Sequence, residues 1–543
     1  MHYRKAVSVV VFCFATLTAA VPTVAMADVT YELGPQTELV NEAFYTGQAE
    51  DGSSASGRMA YMASMSHDGR TIAFLGVNLA TWQVALFLVD FGHPSSWRRL
   101  TSDIDAQGVA PITWTLDDAT LICHESKVSL MNPVVEEFKP FGFTLHEPTM
   151  TSLPEANWLV SQYMHDGLHD IVAIPVLPNG EPDTSREPVA VTDWGVTGDW
   201  PIIAPDGSAV AVQDYSQSWD PAVYDTGDIY IIHNLANILA APKKPGTQVS
   251  TLAPTSFSDP NVAAIRTTET ENVAVDPSFS ADKSLVFYNE DVNHKFQYTW
   301  FLAILSDCDF DIMISRSDGV GEDIRLARSG NQMYLSATPG GTRLLYASDV
   351  GGFPHIFATS LIIKTEIAGD PVGDPADNDI ITTAPQEVSD ASGTVIEVPE
   401  ATLVNFPADV PQVFTINTQI DPITQPQLPF AVEGIPVVRE FGPAGTTFDR
   451  PVTVTITYSD EEVRGFDESH LRVFLYNETN GIYDREVTTI TNRDLGNNTI
   501  SFTVDHFSRF GLGGSSQTAP LRSLPVALVL LFAAYGYCLR RAH

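Results

Sequence analysis

A phrase of one kind recurs six times before residue 360: an apolar strand, a tight turn, then a second apolar strand. It reads Met62-Ala-Ser-Met-Ser-His-Asp-Gly-Arg-Thr-Ile-Ala-Phe74, Ile112-Thr-Trp-Thr-Leu-Asp-Asp-Ala-Thr-Leu-Ile-Cys123, Ile202-Ile-Ala-Pro-Asp-Gly-Ser-Ala-Val-Ala-Val212, Pro277-Ser-Phe-Ser-Ala-Asp-Lys-Ser-Leu-Val-Phe287 and Tyr334-Leu-Ser-Ala-Thr-Pro-Gly-Gly-Thr-Arg-Leu-Leu-Tyr346. A degenerate copy, Thr151-Ser-Leu-Pro-Glu-Ala-Asn-Trp-Leu-Val160, lacks the Asp-Gly pair. A phrase repeated in this way specifies an array of equivalent units before it specifies any chemistry.

Asp-Gly and Gly-Gly accept the positive φ that a two-residue hairpin turn requires, and the flanking alternation fixes strand register, so each phrase is expected to be a hairpin. A third strand follows most copies: Ala85-Leu-Phe-Leu-Val-Asp90, Asp228-Ile-Tyr-Ile-Ile232, Asp311-Ile-Met-Ile-Ser315 and His355-Ile-Phe-Ala-Thr359. A fourth often closes the unit, as in Trp97-Arg-Arg-Leu-Thr101 and Asp323-Ile-Arg-Leu-Ala327. Four strands per repeat make a propeller blade.

The repeat resembles that of the TolB-type, or PD40, β-propellers, with Ser66 to Phe74 and Leu100-Thr101 as the best match. The resemblance implies a six-bladed propeller over residues 28–368, with loops of very unequal length on a constant core. Propellers host many unrelated functions, so the resemblance speaks to fold.

The two ends read as targeting segments. Residues 1–27 combine Arg4 and Lys5, an apolar run and the small-residue site Ala25-Met-Ala27, the pattern of a secretory signal peptide. At the other end, Gly511-Leu-Gly-Gly-Ser-Ser516 reads as the start of a spacer (513–522), followed by an apolar helix and terminal arginines over 523–543. Seventeen uncharged residues from Ser523 to Leu539 span about 26 Å as a helix, a marginal fit to a hydrocarbon core of about 30 Å. This tail resembles bacterial GlyGly-CTERM sorting signals, which implies cleavage near Gly513-Gly514 and delivery to the surface; a single-span anchor is the alternative. The chain carries 29 basic and 67 acidic residues. Without Arg4 and Lys5 the net charge is 27 minus 67, or −40, which repels nucleic acid and anionic headgroups. Membrane contact is therefore expected through the tail alone, and the molecule is expected to be a monomer.

Residues 369–392 are rich in Asp, Pro and Gly and read as a linker. Asp370, Asp374, Asp377 and Asp379 depart from EF-hand spacing, so no bound cofactor or metal is expected beyond loosely held Ca²⁺. Residues 393–512 alternate apolar and polar side chains in Thr394–Val398, Val452–Tyr458, Leu471–Tyr476 and Thr499–Val504, an antiparallel β-sandwich signature. The expected fold class is thus all-β: a propeller, a C-terminal sandwich and a short C-terminal membrane helix. Glu440-Phe-Gly-Pro-Ala-Gly-Thr-Thr-Phe448, Arg450-Pro-Val452 and Asp505-His-Phe-Ser508 resemble the ZU5 domain, an interaction module. In some relatives of that domain a His-Phe-Ser sequence cleaves itself, which makes His506, Phe507 and Ser508 candidates, with Ser508 as nucleophile and His506 as proton handler. The alternative is that His506 and Ser508 merely close the last strand.

No Gly-x-Ser-x-Gly, His-Glu-x-x-His or phosphate-cradling glycine loop occurs, and the thirteen histidines are scattered. Two long insertions follow second strands. The first carries Tyr215, Trp219, Asp220 and Tyr224, the second Asp291, His294, Tyr298 and Trp300, aromatics with acceptors suited to stacking on sugar rings or peptide segments. Trp300 to Leu305 also reads as a buried strand. The expectation is a non-enzymatic, exported surface protein that binds a protein or glycan of the cell envelope. An envelope enzyme acting on glycans, or self-cleavage at Ser508, is the competing class.

Overall fold

The computed structural model describes most of residues 29–514; residues 1–28 and 515–543, and the internal stretches 47–56, 106–110, 193–197, 215–227, 241–263, 267–272, 294–307 and 418–433 with several shorter ones, lie outside the description. The signal-peptide and tail expectations therefore fall outside it. Among the described residues no helix is long and apolar enough to cross a membrane.

Five separate sheets of four or five antiparallel strands follow one another along the chain. Their first strands are Arg58–Met65, Ile112–Trp114, Leu145–Ser152, Gly198–Ile203 and Ala274–Phe279. Each first strand lies against the first strand of the next sheet, the arrangement of a propeller. The ring is closed by Gln332–Ala337, which lies against both Ala274–Phe279 and Arg58–Met65. Its outward neighbours are Arg343–Ser348, His355–Glu366 and finally Val29–Val40 from the start of the chain. Pairing the first strand with the last ties the ring shut through backbone hydrogen bonds.

The hairpin turns hold four residues rather than two. Ser66 N bonds Thr71 O at 2.8 Å and Gly69 N bonds Ser66 O at 2.9 Å, and the same pattern recurs at Thr115, Ala204 and Ser280. Only one residue per turn has positive φ, namely Gly69, Asp118, Gly207 and Lys283, whereas a two-residue type I′ turn needs two. Ala204 forms the turn through backbone bonds alone, and where a serine or threonine opens it the hydroxyl adds support. Ser66 Oγ accepts from Thr71 N at 3.0 Å and donates to Asp68 Oδ1 at 2.7 Å, and Thr115 does the same with Thr120 and Asp117. These side chains satisfy backbone groups that a tighter turn would pair directly.

The strand His355–Glu366 is shared. Its first half pairs with Arg343–Ser348 in the propeller, and residues 362–366 pair with Val413–Asn417 in the sandwich. The sheet then continues through Gly434–Gly442, Arg509–Gly514, Arg472–Asn477 and Ile482–Glu486. The opposing sheet has eight strands, and buried Phe414, Phe441, Phe502, Phe507 and Phe510 pack in the core between the two. Residues 369–392, read above as a linker, carry three strands of that second sheet, Gly369–Val372, Asp379–Thr382 and Gln386–Ser389. Ile380 and Val388 anchor them in the core despite the acidic composition. Gly511, Gly513 and Gly514, read above as spacer, belong to the final strand, paired on both edges. A Cβ at Gly511 would meet Ile435 Cγ2 at 2.4 Å, so crowding from neighbours accounts for the glycine.

Candidate functional site at the propeller axis

The inner strands carry a repeated irregularity. Register shifts interrupt the first strand between Tyr61 and Ser64, His146 and Thr149, Asp199 and Ile202, Val275 and Ser278, and Met333 and Ser336. Met62, Trp200, Asp276 and Tyr334, each with φ between 49° and 57°, stand at four of these bulges, six residues before the turn residues Asp68, Asp206, Asp282 and Gly340. A left-handed non-glycine residue costs on the order of 1 kcal/mol or more and persists only where surrounding contacts fix it.

Those contacts come from neighbouring blades. Asp276 Oδ2 accepts from Tyr334 N at 2.7 Å, Asn289 Oδ1 accepts from Leu335 N at 3.2 Å, and Ser278 Oγ accepts from Ala337 N at 2.8 Å. Trp114 Nε1 donates to Ser64 O at 3.1 Å and Thr149 Oγ1 to Pro201 O at 3.0 Å at other seams. Side chains of one blade thus shape the backbone bulge of its neighbour.

Four buried acids from consecutive units meet here: Asp276, Tyr334, Tyr61 and Cys123. Burial pushes the Asp276 carboxyl up to about 7 against the hydrogen bonds from Tyr334 and Leu335. Burial also raises Tyr334, with the Asp276 charge adding to it, and raises Tyr61, with Tyr334 and Cys123 adding to it. The Cys123 thiol is pushed up to about 12 by burial, and both Cys123 and Cys308 are free thiols. The Tyr61 and Tyr334 rings are 5.7 Å apart. A thiol held neutral is neither nucleophile nor metal ligand, so Asp276 is the member whose charge changes near neutrality.

Gln162, Gln213 and Asn289 occupy matching second-strand positions in three successive blades, opposite His146, Asp199 and Val275 at the bulges, and all three are buried. Asn289 finds the Leu335 amide of the next blade. The position matching Leu335 in the blade after Gln213 is Pro277, which has no N–H. Among the described residues, Gln213 Nε2 and Oε1 are both without a hydrogen-bond partner. A buried amide in that state is costly and marks a place where a polar group is wanted.

Among the residues expected to bind, Asp291 ends the second strand of the fifth blade, 1% exposed, and its Oδ1 accepts from Asp309 N at 3.2 Å. It pins together the two ends of the insertion between Asp291 and Phe310. Tyr215, Trp219, Asp220, Tyr224, His294, Tyr298 and Trp300 lie outside the described residues. Both insertions join second to third strands, the sheet end opposite the turns. In the sandwich, His506 Nδ1 bonds Asp505 Oδ1 at 2.7 Å, Phe507 is buried with N bonded to Thr446 O at 2.9 Å, and Ser508 O accepts from Phe441 N at 3.0 Å. Among the described residues no cluster of three or more His, Cys, Asp or Glu side chains is placed to hold a metal ion.

Asp276, Tyr334, Tyr61 and Gln213 were not singled out from sequence. Their signal is positional, a fixed offset from each turn, and shows only once bulges are aligned across blades.

No protein-family model matches the sequence, and no curated protein does. Among solved structures, a protein designated TolB from Agrobacterium tumefaciens is similar at a TM-score of 0.32 and 16% identity, covering 55% of this chain and 82% of its own. TolB from Acinetobacter baumannii is similar at 0.32 and 14%, covering 54% and 65%. Oligogalacturonate lyase in complex with manganese is similar at 0.33 and 13%, covering 62% and 98%. The neighbours thus include TolB-like β-propeller proteins, the architecture that the strand pairing itself displays. At such scores none of their activities transfers to this chain.

Proposed function

We propose that this chain is an exported, envelope-associated binding protein. Counted with the closing quartet of strands, its propeller has six blades; the insertions after Asp214 and Asp291 form the partner-binding end, and the partner is a protein or glycan of the envelope. Carrying this reading is the origin of both insertions at one end of two adjacent blades, beside the axial seam of Gln213, Asp276 and Asn289. The signal-like segment 1–27 and the apolar tail 523–543 support export and anchoring, and any processing of the tail falls beyond Gly514, where the last strand ends. The sandwich, which resembles a ZU5 module, serves as the second attachment point.

The second reading, an envelope enzyme, rests on Asp276, a buried carboxyl at an inner-strand bulge that burial pushes up to about 7, the range of a general acid or base. A glycan array and a pull-down from envelope extracts, run beside an activity screen on residues 28–520, separate the two. Retention of a partner that is lost on substituting Trp219 and Trp300 supports binding. Turnover of a glycan that disappears in Asp276→Asn overturns it.

A further inference from the structure

A cavity of about 590 Å³ opens at one end of the sandwich, lined by Asp467, Ser469, His470, Leu471, Arg472 and Arg493. It lies where the short turn Glu468–His470 leads into Arg472–Asn477 of one sheet while Arg493, on Ile490–Asp494, approaches from the other. In a chain of net charge −38, this cavity has two arginines among its six lining residues.

Donor and acceptor accounting shows which groups of the cavity are left for a ligand. Asp467 is consumed locally: it accepts from Ser469 N at 3.1 Å, Ser469 Oγ at 2.6 Å and His470 Nδ1 at 2.8 Å. Nearby Asp494 accepts from Gly496 N, Asn497 N and Asn497 Nδ2, and Asp460 accepts from Asn498 Nδ2. Arg472 pairs with Glu486 at 3.3 Å and lies over the Phe474 ring, which orients its guanidinium. Among the described residues Arg493 makes one hydrogen bond, to Glu468 O at 3.4 Å, leaving most of its five donors without an acceptor. Asp460, Asp467 and Asp494 are occupied, Glu468 keeps a like charge beside Asp460 and Asp467, and most donors of Arg493 are left for a ligand.

We propose that this cavity binds a carboxylate carried on a polar, hydroxyl-bearing body, a uronic-acid unit being the simplest case. Arg493 holds the carboxylate through its planar fork, and Arg472 adds charge. Ser469 and the Nε2 edge of His470 serve the hydroxyls. The volume falls within the range of about 300–1,000 Å³ usual for small-molecule sites. The site stands in the sandwich, independent of whatever the propeller binds.

The test is calorimetric titration of the full chain with D-glucuronate and with D-glucose as the uncharged counterpart. Glucuronate is expected to bind, glucose not, and Arg493→Gln is expected to weaken glucuronate binding by roughly tenfold to a hundredfold without shifting the melting temperature. Glu468→Gln, which removes a like charge beside the cavity, is expected to tighten it several-fold. Equal binding of glucose, no glucuronate binding at millimolar concentration, or affinity unchanged in Arg493→Gln overturns the proposal.

Discussion

Asp276 Oδ2 accepts a hydrogen bond from Tyr334 N at 2.7 Å, so a carboxyl at the bulge of one inner strand fixes the bulge of the next. The bond is made in a fully buried setting, which raises the carboxyl from its ordinary 3.8 to about 7. Folding therefore favours the protonated form, and the unfolded chain ionises first as pH rises. The contribution of Asp276 to stability is unpenalised below 3.8 and declines as pH climbs to about 7, above which the penalty is constant. A rise of that size corresponds to a penalty of at most about 4 kcal/mol. Asp276→Asn keeps an acceptor for the Tyr334 amide and removes the titration. Denaturant midpoints of variant and wild type should diverge in favour of the variant between about pH 4 and about pH 7.5. A difference that stays flat across that window would show that Asp276 does not titrate there.

Asp118 gives the opposite sign. From the turn of the second blade it accepts His67 N at 2.9 Å, Asp68 N at 3.0 Å and His67 Nδ1 at 2.7 Å, capping the turn of the first blade. Burial pushes its carboxyl up, yet the hydrogen bonds and charge of His67 outweigh burial and hold it below the ordinary value. The folded state prefers the ionised form, so this stabilisation is present above the ordinary carboxylate pKa and is lost as pH falls through the folded value. Asp118→Ala should cost about 1–3 kcal/mol at neutral pH, read as a lower melting temperature, and less in acid. An equal loss at both pH values would place the effect in packing rather than charge.

The repeat was legible because most of its turns recur in chemistry, Asp followed by a left-handed residue and often preceded by Ser or Thr, and because the strands alternate. The closing strand Val29–Val40 was not, since its partner lies more than three hundred residues away and nothing local in Glu32, Gln36 or Glu38 names it. Residues 369–392 misled for a related reason: short strands buried on one face need only one or two apolar anchors, here Ile380 and Val388, and Asp and Pro between them hide the period. Glycines at the end of the chain read as a flexible spacer when only composition is visible, whereas the crowding by Ile435 and Tyr483 that selects Gly511 exists only in three dimensions. The aromatic insertions were visible as sequence, and the buried seam was not, because Asp276 and Gln213 sit inside strands and acquire their character from neighbouring blades.

Self-cleavage between Phe507 and Ser508 can be judged from local geometry. Phe507 packs edge-on against Phe414 and Phe448, each at 4.8 Å between ring centroids. Its N–H and the Ser508 carbonyl are both hydrogen-bonded to backbone, and neither residue is among those with positive φ. His506 is turned to Asp505. Intact mass after prolonged incubation should show no break between Phe507 and Ser508, and a fragment pair that vanishes in Ser508→Ala would refute this. Phe507→Ala should instead cost about 3–5 kcal/mol by opening a cavity in the sandwich core.

The shared strand His355–Glu366 leads to a prediction about cooperativity. Ile363 is buried, pairs with Tyr31 on one edge and Ile416 on the other, and packs in the apolar cluster of the last propeller unit. Backbone hydrogen bonds therefore run without interruption from inner strand Gln332–Ala337 to edge strand Ile482–Glu486. A flexible tether would let the two parts melt separately, whereas a common sheet makes loss of one expose the edge of the other. Thermal unfolding monitored by calorimetry should show a single transition. Thr365→Pro, which removes an amide donor near the junction while leaving the Arg343–Ser348 pairing in place, should split it into two, with limited proteolysis cutting near residue 367. Two transitions in the wild-type chain would show that the shared strand does not couple the parts.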